Sequence, residues 1–329
     1  MSKRIAINGF GRIGRLTFRN LLGIDGIEVV AINDLTDNKT LAHLLKYDST
    51  QGKFDGTVDY TDDSIIVNGK SINAYAERNP AALPWSDLKV DVVLECTGIF
   101  RTKDKASMHL TAGAKKVVLS APAKSAGVQT IVLGINDDEL DTSLNLYSNA
   151  SCTTNCLSPL VKVIDDNWGL VQGTLTTTHA YTGDQRILDA PHSDLRRARA
   201  AAINIVPTST GAANAVGKVL PQVEGKLMAM ALRVPTPTGS LTELTVIVDK
   251  DTTVEEVNAA FKAQSEGRMK GVLEYSTEEL VSTDIVGNKH SCIFDSKLTK
   301  VSGKLVKVVG WYDNEAGYSA RLAELTARV

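Results

Sequence analysis

A chain of 329 residues, 43% hydrophobic and 22% charged, has the make-up of a soluble globular protein large enough for two domains. Its 36 basic and 38 acidic residues leave a formal charge of −2, which gives no footing for nucleic acid or an anionic membrane as the main partner. Four cysteines are too few for a disulfide framework, and no apolar run is long enough for a bilayer span or a signal region, so the expected compartment is the reducing cytoplasm.

In chain order, residues 4–8 read as a strand. Gly9-Phe10-Gly11-Arg12-Ile13-Gly14 follows, then a helical pattern through Leu16, Phe18, Leu21 and Leu22. Residues 28–33 form a second strand and 41–45 a helical segment. Residues 64–67 and 71–75 make a hairpin, turned by Asn68-Gly69. Strands at 90–95, 116–120, 129–133 and 144–149, with a helix at 103–112, complete the first half. Apolar strands alternating with helices predict a Rossmann-type α/β domain over 1–150, a doubly wound parallel sheet. Beyond it come a helix near Cys152, a threonine-rich strand at 173–181 and a polar, basic excursion at 185–202. A helical pattern at 212–219 follows, then strands at 227–234, 240–249 and 305–312, a helix at 254–266 and a terminal helix at 315–329. Long strands with few helices between them predict an α+β domain with a mostly antiparallel sheet over 151–314.

The glycine run alone is weak evidence for a cofactor, but here it follows a strand and opens a helix. Asp34 ends the second strand about 20 residues after Gly14, as the dinucleotide fingerprint requires. Gly9, Gly11 and Gly14 allow a tight turn and close approach of a pyrophosphate to the helix start. Asp34 suits the ribose hydroxyls and repels a 2′-phosphate, so NAD is expected over NADP. A packing turn with a solvated acid is the plainer alternative.

Ser151-Cys152-Thr153-Thr154-Asn155-Cys156 sits at the junction between the halves. A cysteine at a helix N-terminus gains from unpaired N–H groups and a partial positive charge, which favour thiolate. The flanking hydroxyls could hold an anion. The alternative is an inert core thiol, as Cys96 and Cys292 are read. Cys152 and Cys156 share a helix face, but with five scattered histidines they lack partners for a zinc site, and no metal is expected. Pro159 leaves the helix start open: either the helix runs from Cys152 past the proline, or Ser158 caps a helix with Pro159 in its first turn. A thiolate beside a nicotinamide would form a hemithioacetal with an aldehyde and then a thioester. That chemistry needs a base, and His179 is the best-placed histidine. His43, His109, His192 and His290 read as helix, loop or surface positions.

From end to end the chain resembles phosphorylating glyceraldehyde-3-phosphate dehydrogenases. The matching motifs are Asn8-Gly9-Phe10-Gly11-Arg12-Ile13-Gly14-Arg15, Ser151-Cys152-Thr153-Thr154-Asn155-Cys156, His179-Ala180-Tyr181-Thr182, Ser209-Thr210-Gly211-Ala212-Ala213, Arg233-Val234-Pro235-Thr236-Pro237 and Trp311-Tyr312-Asp313-Asn314-Glu315. The resemblance implies Cys152 as nucleophile and His179 as base. It gives Thr182 and Arg233 to the phosphate of D-glyceraldehyde 3-phosphate. Ser151, Thr153, Arg197, Thr210 and Gly211 would hold inorganic phosphate. Arg12, Ile13, Asp34, Arg78, Ser120, Asn314 and Tyr318 would hold NAD. It also implies a homotetramer with an S-shaped loop at about 181–204 lining neighbouring NAD sites, and a terminal helix that joins the first domain. Asn314 is expected to cap that helix as well. Ala190 stands where NAD-selective relatives carry a bulkier aliphatic. An erythrose-4-phosphate dehydrogenase that hydrolyses its thioester, or a binding or regulatory protein reusing the fold, are the other readings.

Overall fold

The computed structural model describes residues 2–329. They divide into two compact units. The first runs to Ile131 and adds residues 139–150 and 319–329; the second comprises residues 132–138 and 151–318.

The first unit holds β1 (Lys3–Asn8), α1 (Arg12–Leu21), β2 (Ile27–Asn33), α2 (Asn38–Lys46), β3 (Val58–Tyr60), β4 (Ser64–Val67), β5 (Lys70–Tyr75), β6 (Val92–Glu95), α3 (Lys103–Ala106), α4 (Met108–Thr111), β7 (Lys116–Leu119), β8 (Gln129–Thr130) and β9 (Leu146–Ser148). Its sheet order is β3-β4-β5-β2-β1-β6-β7-β9-β8. From β5 to β8 every pairing is parallel. The chain winds outward from β1 to β2, then returns to β6 on the other side of β1. The β1/β6 boundary is therefore the switch point, where doubly wound sheets open a crevice at their carboxyl ends. Trp85, fully buried, packs with Val30, Val90 and Val93 on this sheet.

The second unit holds α5 (Cys152–Trp168), β10 (Leu170–Ala180), β11 (Val206–Thr208), α6 (Ala212–Val219), β12 (Leu227–Val234), β13 (Ser240–Val248), α7 (Val254–Glu266), β14 (Leu273–Ser276), β15 (Cys292–Asp295), β16 (Lys300–Ser302), β17 (Leu305–Tyr312) and the start of α8 (Ala316–Arg328). The order β11-β12-β10-β13-β17-β15-β14 is mostly antiparallel; β10/β12 and β14/β15 run parallel. No helix among the described residues is long and apolar enough to cross a membrane.

Local chemistry explains several elements. Asn68 and Gly69 both take left-handed φ, 51° and 78°, the two-residue turn that matches strand twist. Thr253 caps α7, with Glu256 completing the reciprocal box.

Elsewhere the structure departs from expectation. The strand expected over 129–133 stops at Thr130, because the Val132 N–H donates to Asn136 Oδ1 (2.9 Å) within a turn. The helix expected over 103–112 is broken at Ser107. The terminal helix is capped by Asp313, not Asn314: Asp313 Oδ1 accepts from the N–H groups of Glu315 (2.9 Å) and Ala316 (3.0 Å). Asn314 instead turns its oxygen to the Ser240 hydroxyl (2.9 Å). His109, which falls in the helix expected over 103–112 and carries no expected role, is fully buried.

Candidate active site

Helix α5 starts at Cys152 and continues through Pro159, so the start at Ser158 is excluded. Pro159 has no N–H to give the preceding turn, and Ser158 Oγ bonds back to the Thr154 carbonyl at 2.7 Å. Ala150, with a left-handed φ of 54°, turns the chain just before the helix. A non-glycine residue there carries strain of about 1–2 kcal/mol, the kind concentrated at functional sites. Ser151 Oγ accepts from Thr154 N at 3.1 Å, making Ser151 the cap and Cys152 the first helical residue.

Cys152 is half-buried, and its Sγ lies 3.4 Å from His179 Nε2. His179, buried near the end of β10, has Nδ1 2.7 Å from the Ala180 carbonyl oxygen. Two lone pairs at that distance would repel, so Nδ1 carries the proton and donates, leaving Nε2 as the acceptor facing sulfur. Arg233 Nη1, 2.9 Å from Nδ1, then donates to Ala180 O and Thr182 Oγ1, each at 3.0 Å. Burial, with the Arg233 charge, lowers the His179 pKa to about 3. Burial also pushes the Cys152 thiol up, and Arg233 and Thr153 offset this only partly. The helix start alone therefore does not make a thiolate. A thiolate there needs a neighbouring base, and His179 Nε2 is the acceptor within reach of the sulfur.

The contacts continue outward. Asp184 accepts from Thr182 Oγ1 and from Arg197 Nη1, the latter at 2.6 Å. Arg197 Nε donates to Thr208 Oγ1 at 2.9 Å. Burial alone would raise the Asp184 pKa, but the Thr182 hydrogen bond and the charges of Arg197 and Arg233 hold its carboxyl below the usual range. Arg233 Nε is buried without a hydrogen-bond partner, as expected of a guanidinium built to receive an anion. Cys152, His179, Arg233, Thr182 and Arg197 thus form one linked chain.

Ser151, Thr210 and Gly211 stand at helix starts. Thr210 Oγ1 accepts from Ala212 N at 3.2 Å, and Gly211 caps α6 without a side chain. Not all the hydroxyls beside Cys152 face an anion. Thr153 bonds Tyr312 OH at 3.0 Å and Thr154 bonds Ser151 Oγ at 2.7 Å, because successive helical residues turn about 100° apart. Cys156 is buried and bonds the Gly310 carbonyl at 3.6 Å.

In the first unit, Gly9 has φ 92°, and a Cβ there would meet Thr97 N at 2.7 Å, just past β6. A Cβ on Gly14 would lie 2.2 Å from the Gly9 carbonyl oxygen. Gly11 caps α1 with no side-chain bond, and a Cβ there would meet nothing within 4 Å. The loop is locked from behind and open in front of a helix start at the switch point, the fit a dinucleotide pyrophosphate needs. Asp34 accepts from Phe10 N (2.8 Å) and Thr36 N (3.0 Å), and each oxygen keeps a lone pair for a ribose hydroxyl. The Arg12 guanidinium is tied to Asp48 by two 3.0 Å bonds, and Arg12 and Ile13 open α1. Arg78 is exposed after β5, and Ser120 follows β7 with its N–H on the Glu95 carbonyl.

The sequence reading missed what holds the strand ends. Asn33 Nδ2 donates to Asn8 Oδ1 (2.7 Å), Asn8 Nδ2 to Glu95 Oε2 (2.6 Å), and His109 Nε2 to the same oxygen (3.0 Å). Trp85 Nε1 closes the row on His109 Nδ1 (3.1 Å). Only the polar residues at three successive strand ends signalled it.

A glycine loop of dinucleotide-binding form in one unit, and in the other a cysteine–histidine pair linked to Arg233 and Arg197, are the features of a nicotinamide-dependent dehydrogenase. Family models agree: residues 3–103 match the NAD-binding domain of glyceraldehyde 3-phosphate dehydrogenase, and 151–314 its C-terminal domain. Proteins named glyceraldehyde-3-phosphate dehydrogenase from Mycobacterium tuberculosis and Mycobacterium avium are each 59% identical to this chain, and one from Streptomyces coelicolor is 57% identical. Each alignment covers 100% of this chain and 99% of the relative. The chain belongs to the glyceraldehyde-3-phosphate dehydrogenase family, and NAD is its cofactor.

Proposed function

We propose that this chain oxidises D-glyceraldehyde 3-phosphate with NAD and inorganic phosphate to 1,3-bisphosphoglycerate. The observation that carries the mechanism is Cys152 Sγ 3.4 Å from an accepting His179 Nε2, at the first position of a capped helix. Thr182 and Arg233 hold the substrate's phosphate. That dianion offsets the Arg233 charge that depresses His179, so binding makes the base stronger. His179 takes the thiol proton as sulfur attacks the aldehyde carbon and returns it to the oxygen, giving a hemithioacetal. Bound NAD supplies the acceptor for the hydride whose loss turns this adduct into a thioester. His179 takes the hydroxyl proton at that stage. Ser151, Arg197, Thr210 and Gly211, with Thr153 through its N–H at the helix start rather than its hydroxyl, position inorganic phosphate, which attacks the thioester carbon and releases the acyl phosphate and the Cys152 sulfur.

On the cofactor side, Gly9, Gly11, Arg12, Ile13 and Gly14 would hold the pyrophosphate, Asp34 the ribose, Arg78 and Ser120 the adenosine side, and Asn314 and Tyr318 the nicotinamide. Residues 1–150 with the terminal helix form the NAD-binding domain in this reading, and 151–314 the catalytic domain. A homotetramer is supported by large apolar side chains left in water: Ile187, Leu188, Leu195, Ile203 and Met228 are 74–83% exposed. Four free thiols accord with the cytoplasm. The test follows NADH absorbance with substrate, NAD and phosphate, then without phosphate. Turnover should stop near one equivalent per site when phosphate is omitted; sustained turnover without it overturns phosphorolysis.

A further inference from the structure

The two proposed phosphate-binding sets share one carboxylate. Asp184 accepts from Thr182 Oγ1, in the set for the substrate's phosphate, and from Arg197 Nη1 at 2.6 Å, in the set for inorganic phosphate. Thr182 Oγ1 also receives Arg233 Nη1 at 3.0 Å. Asp194 stands farther from Arg197, at 3.6 Å. The Asp184 side chain is 44% exposed against 21% for Arg197, so the carboxylate can turn out to water while the guanidinium stays. A carboxylate and a phosphate present the same kind of oxygen pair to a guanidinium fork and compete for it.

We propose that Asp184 is a built-in competing anion that occupies these phosphate-binding residues between turnovers and sets the affinity and charge selectivity of both sites. The inference rests on the proposed roles of Thr182, Arg233 and Arg197. Two arginines close together repel one another and lose hydration, and Asp184 neutralises part of that charge when no ligand is bound. A ligand must displace an ionised carboxylate. A dianion gains enough against two cations to do so; chloride or a monocarboxylate gains about half as much. The shared contact also links the sites. A substrate phosphate that takes Thr182 leaves Asp184 held by Arg197 alone, which eases entry of the second phosphate.

The test uses the full-length enzyme with saturating NAD. Asp184→Asn should lower the KM for inorganic phosphate about five-fold, the value of one partly exposed ion pair. Inhibition by chloride should tighten more than inhibition by sulfate. Asp184→Glu should return the KM towards the parent value. Asp194→Asn, which removes the same charge from the neighbouring contact, should change it less than two-fold. If Asp184→Asn does not fold, Asp184→Ser carries the same expectation. An unchanged or raised KM in the neutral variants, or an equal effect from Asp194→Asn, overturns the proposal. Arg197→Leu separates the two levels. It should raise the KM for phosphate at least ten-fold; an unaffected KM there would instead sink the reading of the site itself.

Discussion

Two glycines of one motif should fail in opposite ways. Gly14→Ala places a Cβ 2.2 Å from the Gly9 carbonyl oxygen, with the Ile7 side chain at 3.4 Å. The first contact is backbone, so α1 and the Gly9 turn must separate by about 1 Å, at a cost of about 3 kcal/mol or more. For a unit of this size that corresponds to a fall of about 6–12 °C in its Tm. Gly11→Ala meets nothing within 4 Å, and Gly11 has φ −72°, which alanine adopts freely. The loss of chain entropy in the unfolded state and the poorer cap offset each other to within about 1 kcal/mol. The new methyl does, however, stand where the proposed reading brings a pyrophosphate to the α1 backbone. Overpacking of about 1–3 kcal/mol there weakens NAD binding about 5- to 150-fold. Calorimetric melting in the absence of NAD, with NAD titration of each folded variant, reads both quantities. A Gly14→Ala protein with the parent Tm, or a Gly11→Ala protein with parent NAD affinity, would refute the division of labour within the loop.

Four other outcomes are expected. Cys152→Ser should abolish turnover with NAD affinity unchanged, and His179→Asn should cut kcat by about 10²–10⁴-fold with a smaller change in KM; retained turnover in either moves the chemistry elsewhere. Asp313→Ala should lower the Tm of the second unit by about 5–10 °C. It strands the N–H groups of Glu315, Ala316 and Gly287, which Asp313 now accepts at 2.8–3.0 Å. Burial opposes ionisation of Asp48, but the Arg12 bond and the N–H groups of Gln51 and Thr50 hold its carboxyl well below 3.8. A depressed carboxyl stabilises the fold above its unfolded value, and that contribution is lost as pH falls through the folded one. Asp48→Asn should therefore unfold at lower urea than the parent at neutral pH, with the gap closing in acid; an equal gap at about pH 3 and 7 would contradict the assignment.

Much of the site was legible because it rests on local rules. The Gly9–Gly14 spacing and the Asn68-Gly69 turn each satisfy a backbone requirement within a few residues, so their residue types reveal them. Cys152 and His179 stood out for chemistry that few side chains can perform. The choice between Cys152 and Ser158 as helix start was not legible, since both satisfy the capping rules; packing of α5, with every residue from Thr153 to Ile164 except Lys162 buried, decides it.

What the sequence determined by itself was therefore the alternation of elements and the candidates for the dinucleotide loop and the cysteine–histidine pair, read from periodicity, short-range geometry and side-chain chemistry. Tertiary structure alone decided that Asp313 rather than Asn314 caps α8, that His109 is buried against Glu95, and that Asp184 lies between Thr182 and Arg197. It also decided that burial pushes the Cys152 thiol up and, with the Arg233 charge, the His179 imidazole down. These outcomes depend on which polar groups meet across long loops and how far each is removed from water, and neither quantity is encoded in the spacing of residues along the chain.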